Sequence, residues 1–399
     1  MAESKYAQLG VDADKGSVRE AFKDVVRNDF PGAFVNIVRD PDIPGLVHTK
    51  HPDGDGSKMV QRILHFLENG DREIFQGAVD DAFTMNAGDV AASGFVFGKW
   101  FFSDIININA LNLPKKLILE QIARRFRSLF GLYQTEGFKI VYFLGGETAD
   151  LPNQVCSAVF DMDIQAEAQE SDLILGNTQP GDRIFGFASD GQALWEDEFN
   201  FGLMANGLTS GRIHLMSRKY NKKYPFLVGF GKKFMGRFEV NDRPDILKGA
   251  TVSEALLSPT RQWAILIRFL IEELKSQGIF HMLHGISMNT GGGATKITHV
   301  GQGGIVYEKN MPMPPPIFRL IKQESGEVWR NMFQSFNCGV GLDIVGEDCP
   351  EFFGALASVS QRTGVMLFDL GRCYNGIKAR NIVRLKTPFG TFDDYHKDK

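Results

Sequence analysis

Cysteine is scarce in this sequence: four residues in 399, at Cys156, Cys338, Cys349 and Cys373, with no Cys-x-x-Cys pair. A zinc ribbon and a dense disulfide framework are thereby excluded, and a reducing, cytoplasmic setting is expected. Long apolar runs are missing too. With no stretch of about 18 apolar residues, no membrane-spanning helix is expected. The opening Met1-Ala2-Glu3-Ser4-Lys5-Tyr6 has no apolar core of a signal peptide. Charge of one sign is also lacking: 44 basic against 48 acidic residues leave a net charge of −4, too little to recruit nucleic acid or an anionic membrane.

What is abundant is glycine, with 43 residues, and phenylalanine, with 33. The length favours two domains over one core. Apolar residues at helical spacing run from Met59 to Leu67 and stop at Asn69-Gly70. A second helix is expected over 78–92, carrying Asp81 and Asp89 near one face, and a third from Pro114 to Arg127. Phe95 to Ile108 reads as strand. Phe138 to Leu144 reads as a buried strand ended by Gly145-Gly146. Strands at 155–164, 183–188 and 337–344 and helices at 260–277, after Pro314, and from Pro350 continue the alternation. The expected fold class is therefore α/β (α+β), two mixed domains, divided as 1–168 and 169–399. In the second, basic and aromatic residues interleave from Arg218 to Arg237, a pattern of single-strand binders, but Glu239, Asp242 and Asp245 follow directly.

The most informative segment is Asp53-Gly54-Asp55-Gly56-Ser57-Lys58. Its glycines allow a tight bend and close approach to a ligand, and its carboxylates, hydroxyl and lysine are groups that hold Mg²⁺ and phosphate. The spacing is not that of a P-loop, and an Asp/Gly-rich hexapeptide also makes an ordinary surface turn. Three further glycine motifs lie downstream: Gly145-Gly146-Glu147-Thr148, Thr290-Gly291-Gly292-Gly293, and Asn337-Cys338-Gly339-Val340-Gly341. The first suits a ligand at a sheet edge or a helix cap, the second a phosphate cradle or a flexible loop, the third a bulged strand.

In this order and spacing the motifs resemble those of the aminoimidazole ribonucleotide synthetase family (phosphoribosylformylglycinamidine cyclo-ligase). Tyr6 to Asp12 resembles that family's Tyr-x-x-Ala-Gly-Val-Asp opening, and Pro52 to Lys58 its Thr-Asp-Gly-Val-Gly-Thr-Lys loop. Gly145 to Pro152, Leu256 to Arg261, Thr290 to Gly293 and Met332 to Gly341 match further family segments. The resemblance implies ATP-dependent closure of an imidazole ring in purine biosynthesis, with ATP and Mg²⁺ as cofactors and a small nucleotide as substrate. It implies a homodimer whose N-terminal domains pair into a barrel-like sheet, a C-terminal sheet flanked by helices, and ATP at the subunit interface. Carried over by position, Asp53, Asp81, Asp89 and Glu147 would hold metal. Asp53, Gly54, Gly56, Ser57, Lys58, Glu147 and Thr148 would bind ATP, and Thr290, Gly291, Gly292 and Gly293 the substrate phosphate. Lys23, Lys58, Asn206 and Asn337 would be catalytic.

The match has gaps. Met204 and Met288 stand where the family has histidines, Gly88 where it has asparagine, and Gln192 to Asn200 looks inserted. Glu196, Glu198 or His284 would then fill the vacant proton role, or the substrate differs. A related synthetase or kinase, and a non-catalytic nucleotide-binding regulator, are the alternatives. His281 and His284 form an H-x-x-H pair that would share a face only on a helix.

Overall fold

Alternation of buried and exposed residues builds the first sheet in a computed structural model of the chain, which describes residues 8–9, 21–22, 24–229, 231, 233–377 and 380–396. Its strands are β1 (Val38–Arg39), β2 (Leu46–Gly54), β3 (Lys99–Ile108), β4 (Lys139–Asp150) and β5 (Ala158–Gln169), in the order β1-β2-β5-β3-β4. All neighbours are antiparallel except β3 and β4. A parallel pair needs a crossover, supplied here by the helix Lys115–Thr135. The second sheet comprises β6 (Arg183–Ala188), β7 (Leu283–Met288), β8 (Ile305–Asn310), β9 (Val340–Gly346), β10 (Leu367–Asn375), β11 (Ile382–Thr387) and β12 (Gly390–His396). Their order is β12-β11-β8-β10-β6-β9-β7. The mixed α/β class expected from the sequence is thus observed.

Helices α1 (Lys58–Asn69), α2 (Gly77–Ala91) and α3 (Lys115–Thr135) cover one face of the first sheet. The central one, α2, is buried from Ala78 to Ala91 because it also packs against the helix Trp263–Ser276 beside the second sheet. A helix enclosed on all sides has no solvent stripe, so each polar side chain on it needs a partner inside the protein. Among the described residues no helix covers the opposite face of the first sheet, and Ile105 is 51% exposed there.

One expected element is different. The strand after Phe138 is not ended by Gly145-Gly146 but continues through them to Asp150. It is an edge strand, with Leu144 67% exposed. Gly146 keeps it close to β3, since a Cβ there would overlap the Asp104 carboxylate. The strand pairs with β3 alone, which is why its apolar residues are not all covered.

Candidate active site

Three aspartates on α2 show how burial sorts carboxylates. Asp80 is met by Arg125 of α3 at 2.7 Å. Asp81, fully buried, accepts from Lys58 Nζ at 2.9 Å and from the Thr260 N–H at 2.8 Å and hydroxyl at 2.6 Å, and it also pairs with Arg62. Burial alone would raise its pKa, but Lys58, Arg62 and Thr260 hold it below the ordinary value. Asp89, 4% exposed, has no such cation: His51 Nε2 lies 3.3 Å from its Oδ2, and its Oδ1 has no hydrogen-bond partner among the described residues.

Asp53 joins His51 and Asp89. One ligand atom from each of the three lies within 4.8 Å of the others, the only such grouping among the described residues. His51 and Asp53 reach it because alternate residues of β2 point toward the helices. Burial first, and then the like charge of Asp89, push the Asp53 pKa above the usual carboxylate value. Clustered carboxylates with unfilled acceptor sites and an imidazole are a donor set that fits a divalent cation.

Segments distant in sequence converge on this corner. Ser57 Oγ and Thr209 Oγ1 share a 2.6 Å hydrogen bond across 152 residues, joining the 53–58 loop to the start of α4 (Leu208–Leu215). Asn206 lies against Gly291: a Cβ at 291 would be 3.3 Å from its amide nitrogen. Lys296, just after the glycine loop, donates to Thr290 Oγ1 at 3.4 Å and acts electrostatically on Asp53. Gly293 lies so close to the Phe336 backbone that a Cβ would come within 2.4 Å of its carbonyl oxygen. The Gly293 and Ala294 amides already bond to Thr290 and Phe336 carbonyls.

The residues expected at the site lie in different surroundings. Asp81 and Asp89 leave α2 about 80° apart around its axis and about 12 Å apart along it, and Asp81 is enclosed by its partners. Lys58 does not face a phosphate: it is wholly buried, donating to Asp81 and the Ser258 carbonyl. Gly54 is required by its neighbour strand, since a Cβ would strike Asp161, while Gly56 makes the turn with φ of 60°. Asn337 is buried and committed to Ser189, Gly202 and Gly339. Glu147 is exposed on edge strand β4 in register with Ile105, on the sheet face opposite Asp53, so one chain cannot bring it to the cluster. Thr148 lies on the same distant edge strand. Lys23 and the Tyr6–Asp12 opening lie outside the described residues, apart from Gln8 and Leu9.

Of the candidate substitutes for the missing histidines, Glu198 is exposed, whereas Glu196 and His284 are committed. Glu196 holds Arg261 with both carboxylate oxygens, and His284 Nδ1 lies 2.8 Å from Asp182. His281 sits on a short 3₁₀ turn and His284 on β7, and no metal grouping of the described residues includes them. Met204 is buried with φ of 62°, a left-handed conformation rare for a side chain of this size. Gly88 and Met288 touch: a Cβ at 88 would fall 2.4 Å from Met288 Sδ. Two departures from the family pattern therefore fill one space. Ion pairs from Lys219 to Glu239, Lys223 to Glu68 and Arg237 to Glu324, with Tyr220 and Phe234 buried, occupy the basic and aromatic stretch.

His51 and Lys296 escaped the sequence reading. His51 is two residues before Asp53 on the same strand face, and Lys296 follows the glycine loop by one turn, so both offered a positional signal.

No family model matches the chain. Its fold is shared with hydrogenase maturation protein HypE in complex with ATP (TM-score 0.53, 14% identity, 96% of this chain and 95% of that one). It is also shared with AaThiL complexed with AMPPCP and TMP (TM-score 0.51, 12% identity, 96% and 97%). These define a class of two-sheet α/β proteins. Within it, the chain is similar to the phosphoribosylformylglycinamidine cyclo-ligase of Methanococcus vannielii, 26% identical over 296 residues, 73% of this chain and 68% of the relative. That of Pyrococcus horikoshii is 25% identical over 352 residues, 85% and 87%. The resemblance read from the motifs is borne out: over most of its length the chain is similar to phosphoribosylformylglycinamidine cyclo-ligases, at a distance. Among the described residues, no helix is long and apolar enough to cross a membrane.

Proposed function

We propose that the protein is an ATP-dependent cyclo-ligase that closes the imidazole ring of formylglycinamidine ribonucleotide, giving aminoimidazole ribonucleotide, ADP and phosphate. The observation that carries this reading is the convergence of the Asp53–Lys58 loop, Asn206 and the Thr290–Gly293 loop, joined by the Ser57–Thr209 hydrogen bond and by Lys296. The cyclo-ligase relatives support the choice of substrate.

In this reading the substrate amide oxygen attacks the γ-phosphorus of ATP, ADP leaves, a substrate nitrogen closes on the activated carbon, and phosphate departs. Transfer of this kind needs alignment and charge neutralisation more than covalent help from the protein. His51, Asp53 and Asp89 would hold a divalent cation, Mg²⁺ in the family's manner, which when bound neutralises triphosphate charge. Lys296 brings a positive charge to the mouth of the glycine loop, where the ribose 5′-phosphate would lie. Asn206 offers an amide beside Gly291. We assign residues 1–168 to ATP binding and dimerisation and 169–399 to substrate-phosphate binding. The face of the first sheet that no helix among the described residues covers is the surface for pairing two copies, the arrangement in which Glu147 and Thr148 would complete a partner's ATP site.

Purified protein given ATP, Mg²⁺ and formylglycinamidine ribonucleotide should release ADP and phosphate and form aminoimidazole ribonucleotide. No ADP above a substrate-free control overturns the reading. A second reading, a related synthetase or kinase with another acceptor, is favoured by one observation: Met204 and Met288 are both buried and cannot transfer a proton. ADP release with a different acceptor, but not with this one, would select it.

A further inference from the structure

We infer that His51 is a direct metal ligand and that the His51–Asp53–Asp89 site prefers a first-row transition-metal divalent cation, with Mn²⁺ as the probe, over Mg²⁺. This rests on the cation role proposed above and goes beyond it by naming the metal class and the nitrogen donor.

Three observations carry it. First, Asp89 is on a helix buried on all sides, where Asp80 and Asp81 each have a guanidinium or ammonium partner and Asp89 has neither among the described residues. A carboxylate 4% exposed with one oxygen lacking any hydrogen bond is costly unless a cation meets it. Second, the His51 Nε2 atom is itself buried, faces Asp89 Oδ2 at 3.3 Å, and has no hydrogen-bond partner among the described residues. Third, the three donors lie within 4.8 Å of one another. Bonds of about 2.1 Å would hold opposite donors about 4.2 Å apart, so a small inward rotation of these side chains suffices.

The donor chemistry then selects the metal. Mg²⁺ takes oxygen ligands and keeps several waters, and imidazole adds little to its binding. Replacing one oxygen donor by imidazole favours first-row ions, whose affinities rise along the series that begins with Mn²⁺. The competing role for His51 is an imidazolium that merely neutralises Asp89.

The test uses the full chain stripped of metal. Mn²⁺ titration followed by electron paramagnetic resonance should show one bound ion, and pulsed measurements should show ¹⁴N coupling from an imidazole. Mg²⁺ should displace Mn²⁺ only at a tenfold or greater excess. His51→Gln should abolish the nitrogen coupling and weaken Mn²⁺ at least tenfold while changing Mg²⁺ affinity less than threefold. Asp89→Asn should weaken both ions. Bound Mn²⁺ without nitrogen coupling, no Mn²⁺ binding, or coupling that survives His51→Gln overturns the inference. The wild-type spectrum alone decides the nitrogen ligand if a variant fails to fold. Turnover of formylglycinamidine ribonucleotide without nitrogen coupling sinks this inference and spares the proposed function. Coupling without turnover does the reverse.

Discussion

Asp81 and Asp89 leave one helix two turns apart, and their surroundings are opposites. Asp81 closes a network with Lys58, Arg62 and Thr260 in which both of its oxygens are engaged. Among the described residues, Asp89 faces only His51 and, nearby, the like-charged Asp53. Residue type and helical spacing are equal in the two, so neither can tell a structural carboxylate from a ligand. Partner identity can. A buried acid whose hydrogen bonds are all made belongs to the fold, and one left unfilled marks a site.

The sharpest way to break this contrast is to remove Asp81. Asp81→Asn leaves Lys58 and Arg62 buried with less counter-charge and should cost about 3–5 kcal/mol in urea unfolding. A loss under 1 kcal/mol would show that the network is not holding the fold. Asp89→Asn should do the opposite: stability within about 1 kcal/mol of the parent, but ATP turnover down at least about 100-fold, or about 3 kcal/mol of barrier. Unchanged turnover would remove Asp89 from the site. Gly88, next to Asp89, sharpens the comparison on the packing side. Gly88→Ala should cost about 1–2 kcal/mol against Met288, and the penalty should vanish in a Met288→Ala background; additive effects in that double-mutant cycle would mean the two do not share space.

Asp104 on β3 provides the control, a carboxylate 9% exposed with neither a cation nor a neighbouring acid. Burial pushes its pKa from 3.8 to about 6. A raised folded-state pKa means that the folded protein keeps the proton longer, so this contribution to stability is full below pH 3.8 and is lost as pH rises through about 6. Relative to wild type, Asp104→Asn should therefore gain stability steadily across that window and hold the gain above it. Parallel pH profiles for the two proteins would contradict the assignment.

Much of the fold was legible. The helix at 58–69 announced itself by periodicity and by Gly70, whose left-handed backbone ends it, and the Pro316 and Pro350 helices by their prolines. Strand β4 was misread because an edge strand and a buried one share the same apolar residues, and only the missing neighbour distinguishes them. The site was legible in its loops but not in its chemistry. Lys58 stands in a phosphate-binding pattern, yet its ammonium group turns inward to Asp81. Glu147 stands in a ligand motif, yet the pleat of β4 sends it to the other face. Such outcomes depend on which element packs opposite, and no local pattern records that.

Thr260 and Ser258 belong to the segment leading into the helix beside the second sheet, yet they bind Asp81 and Lys58 on the helices that cover the first. These bonds act as a rivet between the helices of the two sheets. Opening a hinge there would strip hydrogen bonds from two buried charges at once, so the span between the Asp53 loop and the glycine loop is set before any ligand arrives. If the two loops hold one ligand, as proposed, that ligand must match a spacing fixed by the fold and not by closure around it.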